Sequence, residues 1–126
     1  MTRGFTLVEL LIVVAIVALL ASVAIPGYNQ YVKKSHEAKA INQLGDIRTS
    51  QVSYREDPAG GNGHYAASIQ ALRWRTDDGK TVGSPPANYA FSTDAQATQQ
   101  AVTDNRDDVI HQTIRLDRQG NLSFPE

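Results

Sequence analysis

Gly4-Phe5-Thr6-Leu7-Val8-Glu9, running on into Leu10-Leu11-Ile12-Val13-Val14-Ala15-Ile16-Val17-Ala18-Leu19-Leu20-Ala21, is the stretch on which the reading of this chain turns. From Phe5 to Ile25 only Thr6, Glu9 and Ser22 are polar. At about 1.5 Å per residue, a helix of roughly twenty such residues spans the ~30 Å hydrocarbon core of a bilayer. Glu9 stands near the start of this segment, where an ionised side chain costs several kcal/mol in hydrocarbon. An acid in that place is a functional hypothesis by default.

Three readings compete. A membrane anchor accounts for the length and the apolar run, with Glu9 marking the membrane edge by snorkelling. A secretory signal takes Arg3 as its charged start, Leu10 to Ala21 as its apolar core and Ser22-Val23-Ala24 as its cut site. That reading has no use for Glu9, and Pro26 follows closely on the proposed cut. The third reading rests on a resemblance. Gly4 to Glu9 and the run after them resemble the prepilin signal of type IV pilins and pseudopilins, over about the first thirty residues. Cleavage glycine, following Phe, acidic residue and apolar run all stand in register.

The resemblance implies a course of events. A prepilin peptidase/methyltransferase cuts between Gly4 and Phe5 and N-methylates Phe5. Residues 1–4 are then a leader carrying the cation Arg3. The mature chain waits in the inner membrane and passes through a pilus assembly platform into a helical homo-oligomeric filament. Within the bundled apolar helices a lone carboxylate needs a partner. The resemblance makes the freed amine of Phe5 on a neighbouring subunit that partner for Glu9, setting register during assembly. The rule that cations stay on the cytoplasmic side does not orient the chain, because Arg3 stands before the apolar run and Lys33, Lys34 and Lys39 after it.

Outward from this stretch, Pro26-Gly27 follows the apolar run. Proline removes a helix hydrogen bond and clashes with the preceding turn. Pro26 therefore marks either the end of a membrane helix, or a kink or locally melted stretch between Ala21 and Tyr28 inside a longer one. Beyond it the pattern becomes amphipathic. Ala40, Leu44, Ile47, Gln51 and Tyr54 recur at spacings of three and four, flanked by Ile41 and Val52. Lys33, Lys34, Glu37, Lys39, Asp46 and Arg48 fall mostly off that stripe, which predicts a helix to about Arg55. Tyr28 and Tyr31 suit a membrane interface, and Gly45 weakens the helix or allows close packing.

Asp57-Pro58-Ala59-Gly60-Gly61-Asn62-Gly63 breaks the pattern. A short helix capped by Ser68 and running through Ile69, Leu72 and Trp74 is expected next. Asp77-Asp78-Gly79 and Gly83-Ser84-Pro85-Pro86 are turns. Alternation predicts strands over 88–93 and 113–117, with Leu122-Ser123-Phe124 returning after the Gln119-Gly120-Asn121 turn. A further strand over 99–103 carries the weakest signal. The fold class is α+β: a long N-terminal helix, apolar then amphipathic, packed on a small antiparallel sheet of about four strands. The divisions are 1–4 leader, 5–28 apolar helix, 29–56 amphipathic helix and 57–126 head. Core candidates are Leu44, Ile47, Trp74, Tyr89, Phe91, Ile114 and Leu116.

Composition sets outer bounds. The chain has 126 residues, enough for one domain, and a net charge of −1 that pulls toward no polyanion. Without cysteine it has neither disulfides nor thiolate sites. His36, His64 and His111 share no metal-ligand spacing, and Arg106 interrupts the acidic run Asp104 to Asp108 where a calcium loop needs alternation. The Asn121-Leu122-Ser123 triplet is too common to weigh. No catalytic frame and no cofactor or metal requirement is visible, and an enzyme is not expected. Arg73, Arg75 and Lys80 around Trp74 read as a solvated loop; nucleic acid gripped by those cations is the alternative. The function expected is a structural subunit of a type IV pilus-like filament, and these residues do not separate adhesion, motility, DNA uptake and protein secretion. The rivals are a major or minor pseudopilin of a type II secretion system and an exported or anchored domain that does not polymerise.

Overall fold

The structure is a computed structural model that describes residues 4–76, 79–83 and 85–125. The leader cation Arg3, the Asp77-Asp78 part of one expected turn and Ser84 of the other lie outside the described residues. The chain divides into two compact units, one to Val32 and one from Lys33. Helix α1, Leu7–Glu56, contributes to both.

In the first unit, every large apolar side chain of α1 from Leu7 to Ile25 is more than half exposed. The segment is long and apolar enough to cross a membrane. Burial of a Val, Leu or Ile side chain stabilises by about 1.5–3 kcal/mol, so this helix lacks most of its favourable surroundings within a single chain. Pro26 lies inside α1, with helix on both sides and no break between Ala21 and Tyr28. Of the two expectations for Pro26, a helix end is therefore not what α1 shows, and the helix is a longer one that contains the proline. One proline costs about 3 kcal/mol locally, and long helical runs on each side outweigh it.

In the second unit, Ala40, Leu44, Ile47 and Gln51 form the buried stripe of α1, joined by Gln43 and Glu37. Tyr54 is half-buried and Val52 exposed. A Cβ added to Gly45 would meet nothing within 4 Å, so its expected close packing is not found within this chain. After α1, the loop folds back on the helix end. Gly61 N–H donates to the Tyr54 carbonyl at 2.8 Å and Gly63 N–H to that of Arg55 at 2.8 Å. These bonds occupy carbonyls that a helix C-terminus leaves unpaired. A Cβ on Gly61 would stand 2.0 Å from the His64 carbonyl oxygen and 2.8 Å from Tyr54 Cδ1. Gly61→Ala is expected to push the loop off Tyr54 and cost about 1–3 kcal/mol, read as a lowered thermal midpoint with sheet content unchanged.

Helix α2 is Ile69–Leu72, and Ser68 Oγ accepts from Ala71 N–H at 3.3 Å. Arg73, with φ 56°, ends it in the left-handed region, before Trp74 rather than through it. Trp74 instead packs edge-on against Phe91, ring centres 5.3 Å apart.

The strands are β1, Ala90–Thr93; β2, Gln99–Val102; β3, Thr113–Leu116; and β4, Leu122–Ser123. They form one antiparallel sheet in chain order. Phe91 stands opposite Ala101, which stands opposite Ile114; Thr93, Gln99 and Leu116 align in the same way. All six are buried, while Ala90, Ser92 and Arg115 face out. Short strands with one packed face explain why the alternation was readable. β1 begins at Ala90 because Asn88, at φ 45°, takes the chain out of extended geometry. The core joins this sheet face to Ala40, Leu44 and Ile47, with Ile69, Ala87, Tyr89 and Val109 around it. Six of the seven expected core residues are buried, and Trp74 packs against them partly exposed.

The β3–β4 turn is held by Asp117, which accepts from Asn121 N–H at 2.8 Å and from its side-chain amide at 3.1 Å. Hydrogen bonding, first from the Asn121 backbone, holds the Asp117 carboxyl below its ordinary range, against a smaller opposing effect of burial. A carboxyl lowered on folding stabilises above its unfolded pKa and ceases to as pH falls through the folded one. The turn is expected to loosen only in acid, below the usual carboxylate range. Amide exchange at Asn121 would follow it, and Asp117→Asn should remove that pH dependence.

Candidate functional site

The N-terminal cluster is built on the first turn of α1. Thr6 Oγ1 accepts from Glu9 N–H at 3.1 Å, and Glu9 Oε2 accepts from Thr6 N–H at 2.9 Å. This reciprocal pair is the capping box that Thr-x-x-Glu makes at a helix start, satisfying two donors otherwise unpaired. Thr6 is a residue that the sequence reading missed, although its signal, Thr6 three residues before Glu9, was available. Glu9 also stands at the positive end of the helix dipole, where a carboxylate is favoured.

The structure brings Glu9 to Thr6. Among the described residues no hydrogen bond or ion pair joins Glu9 to Phe5 of the same chain. Gly4 and Phe5 precede the helix in exposed chain outside any helix or strand, Phe5 being 90 % exposed. A Cβ on Gly4 would meet nothing within 4 Å. The peptide bond between them is therefore sterically open. Pro26 sits farther along α1 and makes no part of this cluster.

The candidate groups of the second unit are structural. His36 Nδ1–H donates to the Asp108 carbonyl at 2.8 Å. Glu37, expected off the buried stripe, is buried: its Oε1 accepts from His111 N–H at 2.5 Å and from His111 Nδ1–H at 3.0 Å. The His111 ring stacks on Phe124, centres 4.1 Å apart. Two histidines and one glutamate thus pin the β2–β3 connection to α1, and a charge buried without such partners would be costly. The pairing joins positions 74 residues apart, which no local pattern reveals. His64 is exposed and stands apart from both. Among the described residues no group of three or more histidines and carboxylates is placed to hold a metal ion.

In the Asp104 to Asp108 run, Asn105 donates from its side chain to Asp108 Oδ2 at 2.7 Å and to the Pro86 carbonyl. That is a self-bonded turn. Arg73, Trp74, Arg75 and Lys80 do line one open depression, with Gln70, Gly79 and Thr81. However, Arg75 donates to the Gly79 carbonyl at 2.8 Å, and the Trp74 ring is engaged by Phe91.

The comparisons with known proteins converge on the N-terminal half. The prokaryotic N-terminal methylation motif matches residues 1–25. The chain is similar to the type IV major fimbrial protein FimA of Dichelobacter nodosus, 46% identical over 48 residues, 38% of this chain and 31% of that one. It is similar to the fimbrial protein EcpC of Eikenella corrodens, 42% identical over 86 residues, 65% of this chain and 52% of that one. A fimbrial protein of Pseudomonas aeruginosa is 41% identical over 51 residues, 40% of this chain and 33% of its own length. The chain thus spans about a third to a half of the length of these relatives. No solved structure matches it.

Proposed function

We infer that this chain, a member of the type IV pilin family by its N-terminal methylation motif and its fimbrial relatives, is a structural subunit of a type IV pilus-like filament. The observation that carries the inference is the uncovered half of α1. The large apolar side chains from Leu7 to Ile25, each more than half exposed, need lipid before assembly and neighbouring copies of themselves afterwards. The head supplies the outer surface and no catalysis. The precursor waits in the inner membrane, is cut between Gly4 and Phe5, and leaves through an assembly platform to an extracellular pilus.

Each part of the N-terminal cluster has work in this reading. Exposed chain outside the helix at Gly4-Phe5 is what a peptidase needs. Cleavage frees an amine on Phe5, adjacent to the Thr6 N–H that Glu9 already holds. In a filament of bundled helices, the Glu9 carboxylate of one copy and the Phe5 amine of the next are opposite charges removed from water. Such a pair adds little net stability, but a wrong register leaves two uncompensated charges. Pro26 is the place at which α1 yields first under load, since one backbone hydrogen bond is already missing there.

Intact-mass analysis of filaments sheared from the cell surface tests the proposal. A dominant species beginning at N-methylated Phe5 is expected. The same species only in trace places the chain at a minor position or in a secretion pseudopilus. A chain beginning near Ile25, or retaining Met1 and confined to membranes, overturns the filament.

A further inference from the structure

Lys33, Lys34 and Lys39 are unaccounted for by the filament's helical core. They begin the second unit, about eight residues after Ile25, the last large apolar residue of the membrane-length run. Lys34 and Lys39 are exposed and Lys33 half-exposed. Among the described residues none of the three takes part in an ion pair. The acid between them, Glu37, is turned inward to His111 and offers them no counter-charge at the surface.

Their spacing selects the kind of partner. At about 100° per residue, Lys34 stands roughly 100° and Lys39 roughly 240° round the helix from Lys33. The three cations therefore point in well-separated directions, as a collar rather than a stripe. A single protein face, or one nucleic-acid groove, could reach two of them at most. A charged plane that surrounds the helix reaches all three. They occupy about 9 Å of helix rise, and lysine stems bend their ammonium groups toward phosphates.

We propose that Lys33, Lys34 and Lys39 form a collar that docks on anionic phospholipid headgroups and holds the head on the bilayer before assembly. This rests on the reading of the chain as a membrane-inserted filament precursor. The acidic segment Asp104 to Asp108 reaches α1 through His36 and is occupied in part by its own Asn105. Extraction into a filament then has to break the collar's contacts, so the composition of the membrane sets part of the cost of leaving it. Each lysine near an anionic surface contributes about a fivefold preference, and the effect fades where salt screens it.

Trp74 is the chain's single tryptophan and lies in the same unit as the collar, so it serves as donor to a dansyl-labelled lipid. The full chain is reconstituted into vesicles of phosphatidylcholine alone or with about a third phosphatidylglycerol. Energy transfer from Trp74 is expected to be greater in the anionic vesicles and to drop to the neutral level in about 0.5 M salt. Lys33→Gln, Lys34→Gln and Lys39→Gln are each expected to lower the docked population about fivefold, and the triple variant to abolish the lipid dependence. Equal transfer in both lipids overturns the collar, as does a triple variant that behaves like the parent. So does loss of the dependence in Arg73→Gln/Arg75→Gln/Lys80→Gln instead. If alkaline carbonate strips the chain from both kinds of vesicle, membrane insertion itself fails, and the collar with it.

Discussion

Glu9→Gln is expected to leave the protein folded, inserted and cut after Gly4, yet to reduce surface filaments at least a hundredfold. The choice of glutamine follows from the geometry. Glu9 is engaged twice, once by the Thr6 backbone and once, in the proposed filament, by the Phe5 amine of a neighbour. Glutamine completes a capping box as glutamate does, so the helix start survives the substitution. Only the charge is lost. Each incoming subunit then buries an amine without its counter-charge, a cost of about 3–5 kcal/mol per contact, which accounts for the hundredfold loss or more. Glu9→Ala removes both engagements. It should assemble no better, and should also fray the first turn by about 1 kcal/mol, visible as faster exchange of the Thr6 amide. Thr6→Ala separates the two roles from the other side: it weakens the cap and keeps the charge, so filaments should persist. Normal piliation by Glu9→Gln would remove the proposed pairing, and Glu9 would then be a helix cap alone.

What was legible in advance follows a physical divide. The period of the second half of α1 and the alternation of β1 to β3 are imposed by one buried face on each element, and such faces show in sequence as spacing. Leu44, Ile47, Tyr89, Phe91, Ile114 and Leu116 were readable for this reason and are all buried. The capping box was equally local and could have been read from Thr6 and Glu9. Glu37 was misplaced because charge alone argued for solvent, while its partners come from His111, far along the chain. Helical continuity through Pro26 was open for another reason. The local penalty is known, but the length of helix that offsets it is a property of the whole element. The site divides the same way. Gly4, Phe5 and Glu9 carry a contiguous signal, whereas the role of Glu9 in one chain and its proposed role between chains differ by contacts that only an assembly supplies.

The head should be most sensitive at a polar residue. Gln51 lies within the apolar stripe of α1, is fully buried, and makes four hydrogen bonds. Its Oε1 accepts from Ala66 N–H at 2.8 Å, and its Nε2 donates to the Ala66 carbonyl at 2.9 Å, to Thr93 Oγ1 at 2.8 Å and to the Asp94 carbonyl at 3.3 Å. One amide thus ties the segment after α1 and the end of β1 to the helix. Leucine fills similar space but strands the Ala66 N–H and carbonyl in a site where Ala66 itself is 2 % exposed. A buried polar group left unpaired costs about 1–3 kcal/mol, so Gln51→Leu is expected to destabilise by roughly 3–5 kcal/mol. That is a large share of the 5–15 kcal/mol typical of a whole domain. Gln99 supplies the contrast. It is as fully buried, but among the described residues its Oε1 has no partner, and its amide donates to the Ala97 carbonyl at 2.7 Å and weakly to Thr93 Oγ1 at 3.4 Å. Gln99→Leu removes an unpaired acceptor along with these bonds, and the two effects offset to within about 1 kcal/mol. Urea unfolding of the mature chain in detergent, followed by Trp74 fluorescence, measures both variants. Equal costs for the two substitutions would show that burial of the amide, rather than the pairing of the backbone it holds, decides the stability of the head.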